Sequence, residues 1–151
     1  MENKKLPPRL VRNAGVFYVC HRLSQMGWNV TPTTRYSSAP NVVIDSEDAE
    51  RTWRLKVRSL SKRAPVPLGK DPNIDADWVI VCTRVREENP RCYVLTSGEV
   101  SKLANRDKRG PNYWLEIAQY DTEEFAERWD RIKPSNSRRY TLQPLRWQKP
   151  E

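Results

Sequence analysis

At 151 residues, with 27 Lys and Arg against 19 Asp and Glu, the chain is long enough for one compact domain and carries a net charge of +8, which favours polyanions such as DNA or RNA, or an acidic protein surface. Six Trp and six Tyr supply bulky core material that disordered chains lack. The N-terminal MENKKLPPRL has charges but no apolar signal core, and no run approaches the ~18 apolar residues of a membrane helix, so a cytoplasmic protein without a membrane partner is expected.

In chain order, residues 1–10 read as an arm. Within residues 11–27, Val16, Val19, Cys20, Leu23 and Met26 form a helical stripe, with Asn13 as cap and Gly27 as stop. WNVTPTT can be a short edge strand interrupted by Pro32. NVVI (41–44) reads as a buried strand, DSEDAE as an acidic turn, and TWRLKVRSL (52–60) closes a hairpin. Residues 61–77 lack periodicity and read as a long loop. DWVIVCTRV (77–85) and RCYVLTS (91–97) form a second hairpin across REENP. A short helix from Gly98 to about Asn105, opened by Ser97, leads into the basic turn NRDKRG. YDTEEFAERWDRI (120–132) reads as a last helix, capped by Asp121 or Thr122, with Phe125, Trp129 and Ile132 on one side. Pro134 disfavours helix at Lys133. The expectation is an α/β fold, a mixed β-sheet flanked by helices in a single domain over 11–133, with an extended basic tail over 134–151.

The most informative stretch is TWRLKVRSL. Strand side chains alternate between faces, so Trp53, Leu55 and Val57 share one side while Arg54, Lys56 and Arg58 share the other. The apolar side belongs to a core. The basic side is either a solvated edge or a row that holds phosphate oxygens by charge-assisted bonds.

The runs AGVFYVCHRLSQMGW, APNVVI, WRLKVRS, DWVIVCTRV and CYVLTSGEV, followed by the RWD segment, resemble the PD-(D/E)xK nuclease superfamily, the restriction-endonuclease-like fold, over residues 14–132. The likeness is to its small bacterial members, whose first helix carries Gly-Glu, whose second strand opens with Asp and whose third strand carries Ile-Gln-Val-Lys-Thr. The resemblance implies a restriction-endonuclease-like sheet and a Mg²⁺ site in which carboxylates hold the ion and Lys attends the attacking water. Here Val16 stands at the helix Glu, Asn41 at the Asp, Lys56 at the Gln or acid and Arg58 at the Lys. Bringing Mg²⁺ within about 5 Å of one cation costs roughly 6 kcal/mol at an effective dielectric near 20, and Arg58 is a poor exchanger of protons. The expectation is a degenerate site, with no catalytic residue, metal or cofactor, that binds DNA or a nucleoprotein complex without cutting it. The resemblance also implies a setting in a mobile element, phage or defence system. A second reading keeps a Mg²⁺-dependent endonuclease with relocated ligands, Asp45, Glu47 or Asp48, acting with Lys56. A third is a protein-binding or inhibitory module.

The expected nucleic-acid contacts are Arg54, Lys56, Arg58, Lys62 and Arg63, joined by Arg138, Arg139 and Arg146 of the tail. Tyr140, Leu142, Leu145 and Trp147 interleave with those tail cations as anchors for a protein partner. Cys20, Cys82 and Cys92 are odd in number and far apart, which fits buried free thiols and a reducing compartment. His21 is the only histidine and reads as a helix surface residue. Trp28, Trp53, Trp78 and Trp114 lie in or beside apolar runs and are expected in the core.

Overall fold

The computed structural model describes residues 4–33, 40–134 and 149–150. Its elements in chain order are α1 (Pro8–Gln25), β1 (Asn29–Pro32), β2 (Val42–Asp45), β3 (Thr52–Ser59), β4 (Val66–Gly69), β5 (Trp78–Thr83), β6 (Arg91–Thr96), α2 (Ser97–Leu103), β7 (Asn105–Arg106), β8 (Tyr113–Leu115) and α3 (Ile117–Tyr120), with a 3₁₀ turn at Trp129–Arg131.

Helix α1 starts earlier than its expected cap. Pro7 occupies the N-cap and Pro8 the first helical position, where a missing N–H costs nothing and the fixed φ is already helical. Asn13 therefore lies inside the helix, and residues 8–10 belong to it rather than to an arm. The stop is as expected: Gly27 has φ +95°, a left-handed conformation cheap for glycine, and its N–H donates to the Ser24 carbonyl at 3.1 Å.

Strands β1, β2 and β3 pair antiparallel in succession, β5 joins β3 in parallel, and β6 pairs antiparallel with β5. The sheet order is β1-β2-β3-β5-β6. Pro32 falls on the edge strand, where its missing donor is tolerated. On one face of this mixed sheet α1 buries Val16, Val19 and Leu23 against Leu55, Val57, Ile80 and Val94. On the other, Val79, Val81, Tyr93 and Leu95 pack against Val66, Leu68, Val100, Leu115 and Tyr120. Side-chain alternation along β5 and β6 thus feeds two cores from one sheet.

Two expectations are corrected. Residues 61–77 are not all loop: β4 pairs with β8, and β8 with β7, in a second, three-stranded sheet. Val66 and Leu68 are buried there while Pro67 and Gly69 face out, a two-residue alternation too short to stand out in the sequence. The helix expected over 120–132 does not form. The chain instead lies along the open edge of β6, where Val94 N–H donates to the Phe125 carbonyl at 2.9 Å and Glu127 N–H to the Cys92 carbonyl at 2.8 Å. An unpaired sheet edge offers this segment better partners than its own turns. Phe125 then enters the second core and Trp129 and Ile132 the first, so the three share no face.

Helix α2 begins at Ser97, with Thr96 as N-cap in a reciprocal box. Thr96 Oγ1 accepts from Glu99 N–H at 3.1 Å, and Glu99 Oε1 accepts from Thr96 N–H at 2.8 Å. Trp28 is buried; Trp53 and Trp78 are partly buried against the first core with rings edge to face, centroids 6.3 Å apart. Trp114 differs, being half-buried and lining a groove with Arg106, Lys108 and Arg109. Among the described residues no helix is long and apolar enough to cross a membrane.

Candidate functional site

Strand β2 covers only part of β3. Val42 pairs with Leu55, so beyond Leu55 the strand has β5 on one side, with Lys56 opposite Val79 and Arg58 opposite Val81, and, among the described residues, no strand on the other. Asn41 closes this fork. Its backbone N–H donates to the Leu55 carbonyl at 2.9 Å, and its side-chain Oδ1 accepts from Val57 N–H at 2.5 Å. One lone pair of the amide oxygen is thereby held by the backbone, and the NH₂ of Asn41 is a donor that suits an anion and repels a cation.

The fork opens into a cavity of about 730 Å³ between the N-terminal half of α1, the end of β3 and the start of β4. Val16, Asn41, Lys56 and Arg58, the four positions singled out by the resemblance, all line it. Alternation along β3 placed Lys56 and Arg58 on the face opposite Leu55 and Val57, and the two cores confirm that Leu55 and Val57 face α1. From the helix come Arg9, Arg12 and Phe17, and from the segment before it Lys5. Among the described residues five of the lining side chains are cations and none is Asp or Glu.

The electrostatics are those of a cluster of one sign. Lys56 is only 7% exposed; burial first, then the charges of Arg58 and Arg12, holds its ammonium below the ordinary lysine range. Burial and Arg12 act on Arg58 in the same direction. Arg58 Nε is buried without a hydrogen-bond partner among the described residues. Clustered cations of this kind are held at a cost, and neutralising one relieves it. Arg58→Met is therefore expected to leave the fold as stable as wild type or about 1 kcal/mol more stable, read as an unchanged or raised midpoint in urea. A clear loss of stability would show that Arg58 braces the fold.

The other expected contacts do not converge here. Arg54 lies outside the cavity lining: its Nη1 is 3.1 Å from Asp75 Oδ1 and its Nε 3.8 Å from Asp77 Oδ2. Arg63 donates to Asp121 Oδ2 at 2.5 Å, and Lys62 is exposed on the loop beyond β3. Asp45, Glu47 and Asp48 sit at the opposite end of the hairpin. Asp45 accepts from Thr52 Oγ1 at 2.7 Å, and Asp48 accepts from Ser46 Oγ at 2.6 Å and Glu50 N–H at 3.1 Å. Thr52 and Lys56 lie four steps apart along the strand, roughly 13 Å, too far for those carboxylates to share an ion with the fork. His21 is exposed, Cys20 half-buried, and Cys82 and Cys92 are buried free thiols with sulfurs 3.4 Å apart. Arg138, Arg139, Tyr140, Leu142, Leu145, Arg146 and Trp147 lie outside the described residues.

No family model, curated protein or solved structure matches this chain. The site has to be read from its own chemistry. Arg12, Arg9, Lys5 and Phe17 were missed in the sequence; the one signal available was the spacing of Arg9, Asn13 and Phe17 four apart along α1, which sets them on one stripe.

Proposed function

We propose that this protein binds DNA through the cavity at the open end of β3 and does not cut it, as a catalytically degenerate relative of the PD-(D/E)xK nucleases acting in the cytoplasm. The observation that carries the reading is the convergence of Lys5, Arg9, Arg12, Lys56 and Arg58 on one cavity whose lining, among the described residues, has no carboxylate. Guanidinium and ammonium groups recognise phosphate oxygens, and the NH₂ of Asn41 adds a neutral donor. Hydrolysis of a phosphodiester by the nuclease route needs an ion between carboxylate ligands. This cavity offers that ion five positive charges instead. What supports the degenerate relationship is that Val16, Asn41, Lys56 and Arg58, the four positions where the residues depart from the nuclease pattern, line one cavity.

Two measurements test the reading. Fluorescence anisotropy with labelled DNA is expected to show affinity falling about a hundredfold between roughly 50 and 200 mM salt, taking about four neutralised phosphates. Arg58→Met should flatten the log–log slope by up to about one unit. A salt-independent affinity would point to a protein ligand. In parallel, plasmid incubated with Mg²⁺ or Mn²⁺ is expected to stay intact; nicking that EDTA abolishes and that disappears in Lys56→Ala would establish the endonuclease reading in its place.

A further inference from the structure

Resting on the DNA-binding reading, we infer that the cavity takes the phosphorylated end of a single strand, with the terminal phosphate among Arg12, Lys56 and Arg58 and the adjoining base on the ring of Phe17. Depth is the first reason. Lys56 is 7% exposed and lines a recess of about 730 Å³. The backbone of a duplex rides over a surface and cannot lower an internal phosphodiester onto a buried ammonium without dragging both flanking sugars and their paired bases along. A strand end has one flank only and can enter.

Charge is the second. An internal phosphodiester carries one negative charge, whereas a terminal phosphomonoester carries between one and two near neutral pH. A cluster in which Lys56, Arg58 and Arg12 oppose one another is relieved most by the more highly charged group, and Arg58 Nε, buried and without a partner among the described residues, is a donor that such a group would satisfy.

Phe17 is the third reason and is independent of charge. It lines the same cavity yet is 62% exposed, while Val16 beside it is buried. An exposed aromatic ring at the mouth of a cationic recess is a stacking platform, and only an unpaired base presents a free face to it. Arg9 and Asn13, on the Phe17 stripe of α1, border the path by which the strand leaves.

The test compares anisotropy of three labelled oligothymidylates of equal length: both ends hydroxyl, a 5′-phosphate, and a 3′-phosphate. One phosphorylated oligonucleotide is expected to bind about tenfold tighter than the hydroxyl form, and which of the two does so identifies the end that enters. Arg58→Met should remove that preference. Phe17→Ala, at an exposed position that leaves the melt unchanged, should weaken all three about tenfold while keeping the preference. Equal affinity for the three in the wild type would overturn the end-binding inference and leave backbone binding standing. No binding of these or of duplex at low salt would overturn both. Unchanged affinities in Phe17→Ala would remove the stacking contact from the proposal.

Discussion

Glu127→Ala is expected to destabilise the fold by about 3 kcal/mol, seen as a melting temperature lower by roughly 6–12 °C. Glu127 is 8% exposed and pins the segment that covers the edge of β6. Its Oε1 accepts from Cys92 N–H at 3.0 Å and its Oε2 from the Trp129 indole Nε1–H at 2.8 Å. Cys92 and Trp129 are both buried, so the Ala variant leaves two donors without water or a partner, each worth about 1–3 kcal/mol. The same carboxylate carries a pH signature. Burial raises its pKa from the ordinary value of 4.5, against the opposing pull of the Cys92 and Trp129 donors and of Arg22 and Arg91. The folded state then holds the proton to higher pH than the unfolded one, so this group's contribution weakens as pH rises from 4.5 through the folded value and stays weakened above it. Glu127→Gln removes the titration but turns its amide NH₂ toward one of the two donors; it should cost less than Ala and erase that slope. Urea melts of the three proteins between acid and neutral pH read both effects. A loss below about 1 kcal/mol in the Ala variant would mean that the edge segment is held by its backbone bonds alone.

What could be read in the sequence follows from how local each signal was. Alternation in TWRLKVRSL is a property of nine consecutive residues, and Leu55, Val57, Lys56 and Arg58 fall on the faces it dictates. The two hairpins were legible for the same reason. Residues 120–132 were misread because Phe125, Trp129 and Ile132 have helical spacing, while the competitor that won, the open edge of β6, lies some thirty residues away. Strands β4 and β8 are four and three residues long and are defined by their pairing with each other and of β8 with β7. The cavity was half legible. Its strand side was read from β3, but nothing local tells which stripe of α1 overlies the fork, so Arg12 and Phe17 were invisible. Arg54 shows the converse: alternation put it with Lys56 and Arg58, and two acids of the β4–β5 connection, Asp75 and Asp77, paired with it instead.

Gly15→Ala is expected to cost a further-reaching 2 kcal/mol or so, because it changes the distance between α1 and β3 on which the cavity depends. A Cβ at Gly15 would lie 1.9 Å from Ser59 Oγ and 2.6 Å from Ser59 Cβ. The hydroxyl can rotate away at the expense of its 3.2 Å bond to the Arg12 carbonyl. The Ser59 Cβ is fixed to the strand and cannot. The helix must therefore lift from the sheet, and its burial of Val16 and Val19 loosens with it. The ~1 kcal/mol that alanine gains over glycine within a helix offsets part of the cost. Ser59→Gly removes the obstructing atoms, so the double variant Gly15→Ala/Ser59→Gly should melt well above Gly15→Ala alone, with a coupling of about 1–2 kcal/mol across the cycle. Function should follow the same cycle. Arg12 is three residues before Gly15, Phe17 two after it, and Arg58 precedes Ser59, so a lifted helix separates the cations of α1 from those of β3. On the proposed DNA-binding reading, affinity at low salt is expected to fall in Gly15→Ala and to recover in the double variant. If the single variant melts and binds like wild type, the helix has slack at this crossing and the spacing of the cationic cluster is set elsewhere; if stability recovers in the double variant but affinity does not, the cluster and the crossing are uncoupled.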